Sequence, residues 1–270
     1  MPLLPPLNPP IPDWTGMRIW IIGASSGIGA ETARLLARRG ARVALSARRS
    51  GALESLRAEF DATARDSTVV LPLDITDAAA VEAAARSLLS RWGELDLVLV
   101  AAGIYDALRA PAFDAAALPA VRSVMEVNLM GTYHVLAALL PHFTRQGRGG
   151  IAIISSVAGY NGLPRALAYA PSKAALNNLC EGLYFELRPL GLSVYRICPG
   201  FVATTMTAHV GFHMPALLSA QTAAHEIVRG LEQGEFEIHF PKRFTRFLKL
   251  LRWLPRRIYF VLLGLGARQV

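Results

Sequence analysis

Short apolar, β-rich runs alternate with longer helical stretches from one end of this chain to the other. The runs fall near 17–22, 42–46, 68–73, 95–101, 150–155, 192–197 and 235–240, and helical patterns fill 28–39, 77–91, about 117–143, 168–188 and 220–232. Strands that are apolar on both faces must be covered on both faces, as in a buried parallel sheet. The alternation therefore predicts an α/β fold, a doubly wound parallel sheet of about seven strands flanked by helices. Right-handed crossovers then favour a strand order that begins 3-2-1-4-5-6, with the seventh strand at the far edge. A chain of 270 residues that is 53% hydrophobic can bury one large core, and no repeat or linker divides it. The expected layout is a Pro-rich lead-in (1–15), one domain (16–241) and a C-terminal tail (242–270).

The first strand runs into Gly23-Ala24-Ser25-Ser26-Gly27-Ile28-Gly29 and then into a helix. Glycines there allow a tight turn and close approach of backbone to a pyrophosphate, which the helix N-terminus then attracts. Opening a βαβ unit is the context that gives such a pattern meaning, and it makes the sheet Rossmann-like. The second strand ends Ser46-Ala47-Arg48-Arg49. An acid at that strand end would bind the 2′-hydroxyl of NAD(H), whereas Arg48 can pair with a 2′-phosphate through its planar fork. The expected cofactor is NADP(H) rather than NAD(H). Ordinary surface arginines remain the alternative.

Tyr169 and Lys173 stand four residues apart in Tyr-Ala-Pro-Ser-Lys, thirteen residues beyond Ser156. Residues i and i+4 share a helix face, so the ammonium of Lys173 can lie beside the phenol. A fixed positive charge lowers a tyrosine pKa from its usual value near 10. Such a tyrosine can pass a proton to or from a carbonyl or alcohol oxygen. Ser156, at a strand end, can hydrogen-bond that same oxygen. Taken alone, the pair would read as a half-buried aromatic beside a solvated lysine.

Together these motifs carry a resemblance. The glycine turn, Leu73-Asp74-Ile75, Asn128, Ser156, Tyr169, Lys173 and Pro199-Gly200 fall in the order and approximate spacing of the short-chain dehydrogenase/reductases, from about Gly16 to Pro241. The resemblance implies that Tyr169 is the general acid–base, that Lys173 tunes it and holds the nicotinamide ribose, and that Ser156 positions the substrate oxygen. It gives Asn128 the task of holding a water that links Lys173 to solvent. A polar residue satisfying a helix kink is the competing reading of Asn128. By the same resemblance Asp74 meets the adenine, Ser25 and Arg48 meet the 2′-phosphate, and Thr204 reaches the carboxamide. Gly23, Ser26, Gly27, Ile28, Gly29, Ile75, Ala102, Gly103, Pro199, Gly200 and Val202 complete the cofactor wall, joined by Tyr169 and Lys173. The implied reaction interconverts a ketone or aldehyde and an alcohol, and the implied assembly is a homodimer or homotetramer. The chain departs from the family in two places: Ile22 stands where threonine is usual, and Val100-Ala101-Ala102-Gly103 stands where Asn-Asn-Ala-Gly is usual, so two asparagines whose amides tie the central sheet are missing. Stability and adenine-side hydrogen bonding are what those departures bear on.

Cys180 and Cys198 suggest neither a disulfide framework nor a metal site, and both read as buried packing residues in a reducing compartment. Met1–Trp14 has no Lys or Arg and lacks the layout of a signal peptide. No uninterrupted apolar run reaches the ~18 residues of a membrane span. These features place the chain in the cytoplasm.

Net charge is +8, and no acid follows Glu237. Lys242, Arg243, Arg246, Lys249, Arg252, Arg256, Arg257 and Arg268 equal the whole surplus, so the rest of the chain is balanced. Segment 242–260 reads as a basic amphipathic helix with aromatics, broken in two by Pro255. It is a candidate for peripheral contact with the inner face of a membrane. Packing on the core, on the substrate loop or on a second subunit is the other reading. Its apolar content argues against nucleic acid. The segment after the nicotinamide strand, 205–218, has few charges and suits a hydrophobic substrate, lipid-derived ones included; His209 and His213 read as lid surface. A non-catalytic NADP(H)-sensing module and a cofactor-conserving isomerase or epimerase are the remaining alternatives.

Overall fold

The structure is a computed structural model that describes residues 5–208 and 214–267, with side-chain surroundings through 261. Its central sheet is all parallel, built from β1 (Arg18–Ile22), β2 (Arg42–Ser46), β3 (Val69–Val70), β4 (Leu97–Val100), β5 (Gly149–Ile154), β6 (Leu192–Pro199) and β9 (Glu237–Phe240). The order is β3-β2-β1-β4-β5-β6-β9, as expected. A small second sheet pairs β7 (Val202–Ala203) with β8 (Leu218–Ser219), a pairing the sequence reading did not foresee. Each of these strands has two residues, too few to leave a periodic signal.

Among the described residues ten α-helices accompany the sheet: α1 (Gly27–Arg38), α2 (Ser50–Ala58), α3 (Ala62–Ser67), α4 (Ala78–Trp92), α5 (Leu118–Met125), α6 (Gly131–Gln146), α7 (Tyr169–Leu187), α8 (Ala220–Glu232), α9 (Lys242–Leu251) and α10 (Arg256–Ala267). Side chains alternate across each strand, so the two sheet faces belong to two cores. Ile19, Ile21, Leu97 and Ile197 pack with α1, α2 and α8, whereas Trp20, Ile22, Val98 and Ile153 pack with α4, α6 and α7. Local chemistry sets the helix ends. Asp77 caps α4 by accepting from the Ala80 N–H at 3.0 Å, and Ser219 caps α8 by accepting from the Thr222 N–H at 3.0 Å.

The lead-in is docked rather than merely extended. Asn8 is buried and pairs with both backbone groups of Val194, donating to its carbonyl at 2.9 Å and accepting from its N–H at 3.2 Å. The Trp14 indole is buried and donates to Glu232 at 2.8 Å.

A continuous helical segment, 115–146, is long and apolar enough by length and composition to cross a membrane. Polar residues interrupt it, so a search for unbroken apolar runs passes over it. Val135, Leu136, Leu139 and Phe143 bury its inner face in the core beneath the sheet, so here it is a helix of the fold. Within it a single π turn, Glu126–Met130, joins α5 to α6.

Candidate active site

The sheet order reverses between β1 and β4, and the strand ends there open into a cleft of about 870 Å³. Open α/β sheets bind ligands at such switch points. The glycine turn forms its floor. Gly23 has φ +97°, and a Cβ placed there would come 2.4 Å from the Ala102 nitrogen. A Cβ on Gly29 would come 2.3 Å from the Gly23 carbonyl oxygen. Neither neighbour can yield, since both are backbone. At α1 the N-cap Ser26 makes no side-chain capping bond, so the first N–H groups face the cleft without a cap. That arrangement fits a dinucleotide pyrophosphate.

At the end of β2, Arg48 and Arg49 both line the cleft. Arg49, not Arg48, reaches Ser25, with Nη2 3.4 Å from Oγ. Arg48 instead lies close enough to Asp74 to help depress its carboxyl pKa; the Thr76 N–H at 3.0 Å leads that shift and the Thr76 hydroxyl at 2.8 Å adds to it. The cleft thus has two arginines at the end of β2, where the sequence expectation names Arg48 alone. Pro199, Gly200, Val202 and Thr204 form the opposite wall, where the Thr204 methyl packs against Gly27.

At the two family departures the backbone pairing of the central strands continues into the loops. Ala101 N–H donates to Ile22 at 2.7 Å, and Gly23 N–H donates to Ser46 at 2.7 Å. The Trp20 indole donates to the Ser46 hydroxyl at 2.8 Å, a buried tie between β1 and β2.

Ser156, Tyr169 and Lys173 meet at the inner end of the cleft. The first turn of α7 carries both Tyr169 and Lys173, and the loop after β5 brings Ser156 to them. Gly159 lets this loop lie against α7, since a Cβ there would come 2.7 Å from the Lys173 carbonyl oxygen. Ser155 donates to that same oxygen at 2.9 Å. Burial pushes the Tyr169 phenol up to about 12, while a hydrogen bond with Ser156 works to lower it. Burial also draws the Lys173 amine down to about 8. The expectation that Lys173 lowers the tyrosine pKa is therefore not met by the protein's own groups. The amine lies 5.6 Å from the ring centre and donates instead to the Ile154 carbonyl at 2.8 Å.

Asn128 stands behind the wall of the cleft rather than in it. Its amide pairs with both backbone groups of Ile104, accepting at 2.8 Å and donating at 3.0 Å, and donates to Ser172 at 3.1 Å. It sits in the π turn, where Thr132 donates to its carbonyl at 3.1 Å. These bonds match the reading of Asn128 as a polar residue that satisfies a helix kink. A Cβ on Gly103 would lie 3.3 Å from Asn128 Oδ1 and 3.6 Å from Lys173 Nζ, so the bare glycine lets both groups approach the backbone closely.

Tyr105 escaped the sequence reading. Its ring meets Tyr169 edge-on at 5.3 Å, and its hydroxyl donates to the Arg165 carbonyl at 3.0 Å. Arg165 holds a left-handed φ of 60° and lines the cleft. No motif marks either residue. Thr205, Met206 and Thr207 reach the cleft from the expected substrate segment, whereas His209 and His213 lie outside the described residues. Cys180 and Cys198 are buried, with thiols pushed up to about 12 by burial, and no metal-binding cluster occurs among the described residues.

A family profile described as short chain dehydrogenase matches residues 18–214. An uncharacterized oxidoreductase of Myxococcus xanthus is 36% identical over 241 residues, covering 88% of this chain and 93% of that protein. Human dehydrogenase/reductase SDR family member 7 is 35% identical over 72% of this chain, which spans only 58% of that longer protein. Among solved structures, a short chain dehydrogenase from Burkholderia cenocepacia in complex with NADP superimposes with a TM-score of 0.79. It shares 25% identity, and the match covers 93% of this chain and 98% of that one.

Proposed function

The chain belongs to the short chain dehydrogenase family and is an oxidoreductase of that type; from that premise we propose that it uses NADP(H) to interconvert a hydrophobic ketone or aldehyde and its alcohol. The observation that carries this reading is the half-buried Tyr169 phenol, hydrogen-bonded to Ser156 and one helical turn from Lys173, in a cleft floored by the glycine turn.

The nicotinamide, when bound, supplies or accepts the hydride. The glycine turn and the α1 N-terminus would hold its pyrophosphate, and Arg48, Arg49 and Ser25 its 2′-phosphate. Ser156 orients the substrate oxygen. A phenol held near 12 is protonated at neutral pH, the form that donates to an oxygen becoming an alkoxide. An alkoxide is a stronger base than a phenolate, so that transfer runs downhill and favours reduction. In the reverse direction the phenolate would take the alcohol's proton, and a protonated Lys173 beside it would offset the phenolate charge. A water held near Asn128 would link the Lys173 amine to solvent, with protons passing through the water and not through the amide. Met206 and Tyr105 offer apolar surface to the substrate, which supports a hydrophobic carbonyl. A purely sensing module would have no need of Ser156, Tyr169 and Lys173 together.

NADPH consumption with a panel of aliphatic and aromatic ketones and aldehydes tests the reading, alongside fluorescence titration of NADPH. Tyr169→Phe should still bind NADPH while turnover falls about 10²–10⁴-fold. Full turnover in that variant would sink the mechanism, and a preference for NADH would sink the cofactor assignment.

A further inference from the structure

The C-terminal helices are half docked and half bare. α9 is anchored to β9 by buried Thr245, whose hydroxyl meets His239 Nδ1 at 2.5 Å, and by Lys249, which pairs with Glu237. α10 is anchored by buried Tyr259, whose hydroxyl donates to the Gly162 carbonyl at 2.8 Å. The opposite side of the pair exposes large apolar groups: Phe247 is 56% exposed, Leu250 64%, Trp253 86% and Phe260 65%. Arg243, Arg246, Arg252, Arg256 and Arg257 are exposed on the same two helices. No acid follows Glu237 in the sequence.

We propose that this face of α9 and α10 docks on an anionic lipid surface. Apolar and aromatic side chains rimmed by arginine are what an interfacial helix inserts below and among the headgroups. A two-fold contact between copies would set the same arginines against each other, with no acid on these helices to answer them. The charge therefore selects phosphate-bearing headgroups over a second copy.

The position is also apt. α10 holds the 160–162 segment, which leads to Arg165 in the cleft wall, and the Phe244 ring packs beside Gly200 in that wall. Docking would thus bring the cleft beside the bilayer, where a hydrophobic carbonyl would be dissolved. Lipid binding itself does not rest on the redox reading.

The test uses the full chain and vesicles of phosphatidylglycerol and phosphatidylcholine in equal amounts, against pure phosphatidylcholine. Trp253 is the reporter, because Trp14, Trp20 and Trp92 are buried. Anionic vesicles should sediment the protein and shift its emission to the blue, and high salt should reverse both. Arg243→Glu with Arg246→Glu should weaken binding by about fivefold or more per arginine. Trp253→Ser should abolish the emission shift. Both variants should bind NADPH as the wild type does, which shows that they fold. Equal binding to neutral vesicles would overturn the proposal. So would no binding at all, or a Trp253 emission already blue in an oligomer and unmoved by vesicles.

Discussion

Nζ of Lys173 donates to the backbone carbonyl of Ile154 at 2.8 Å. The last residue of β5 therefore holds the amine that the sequence would pair with the Tyr169 phenol. Strand β5 and helix α7 are locked through this bond at the point where the reacting groups meet, and burial keeps the amine near 8.

Lys173 should leave a pH signature on stability. Its folded pKa of about 8 lies below the reference of 10.5. Between those values the unfolded chain binds a proton that the folded chain does not, so stability rises with pH. The full difference is about 3 kcal/mol, with the penalty complete below pH 8. Tyr169 and the two thiols, all raised, act in the opposite sense above their reference values of 10.0 and 9.0. The difference between wild type and Lys173→Met isolates the lysine. Urea unfolding from pH 7 to 10 should show the wild type gaining on the variant. Parallel curves would contradict the burial argument.

The arginine pair at the end of β2 predicts shared recognition of the 2′-phosphate in the proposed cofactor. Arg48→Asp and Arg49→Asp should each weaken NADPH binding about tenfold or more, as loss of a charge-assisted contact does. The double variant should move preference towards NADH. An Arg49→Asp protein with unchanged NADPH affinity would return the role to Arg48 alone.

Gly23→Ala should be costly at a site far from any reacting atom. The added carbon would fall 2.4 Å from the Ala102 nitrogen at a φ of +97°. A loss of about 3 kcal/mol is expected, or roughly 6–12 °C in Tm for a chain of this size. Calorimetry on the ligand-free protein reads it directly.

Ser46→Ala removes the partner of the buried Trp20 indole. An unpaired buried donor costs about 1–3 kcal/mol. Trp20→Phe with Ser46→Ala should recover part of that loss, because nothing is then left unpaired. A double-mutant cycle by urea unfolding checks it; strict additivity would count against the bond.

Much of the sheet was legible because its strands are apolar on both faces and punctuated by turns, from Met17–Ile22 to the run at 235–240. The short pairing of Val202–Ala203 with Leu218–Ser219 was not legible, since partners so far apart leave no local pattern. The break at Pro255 was legible from proline alone, as α9 ends at Leu251 and α10 starts at Arg256. Residues with a fixed place in a motif were found together: the glycine turn, Ser156, Tyr169 and Lys173 share one cleft. Arg49 was harder to separate from Arg48, since strand-end geometry decides which side chain turns to Ser25. Tyr105 and Arg165 reach Tyr169 only through tertiary folding. The tyrosine pKa went unread for a related reason, because spacing gives proximity along a helix and not the depth of burial.

The π turn at Glu126–Met130 has a consequence for chain length. An α-helix advances about 100° per residue, so a wider turn works as a fixed phase offset between the helix before it and the helix after it. Asn128 is aimed at Ile104 and Ser172 in the same segment that later aims Val135, Leu139 and Phe143 at the core. Deleting one residue here would rotate one set against the other by about that angle. Insertions in the 109–117 connection face no such constraint. Drift in length should collect there, and the 126–130 stretch should keep its residue count even where its side chains change.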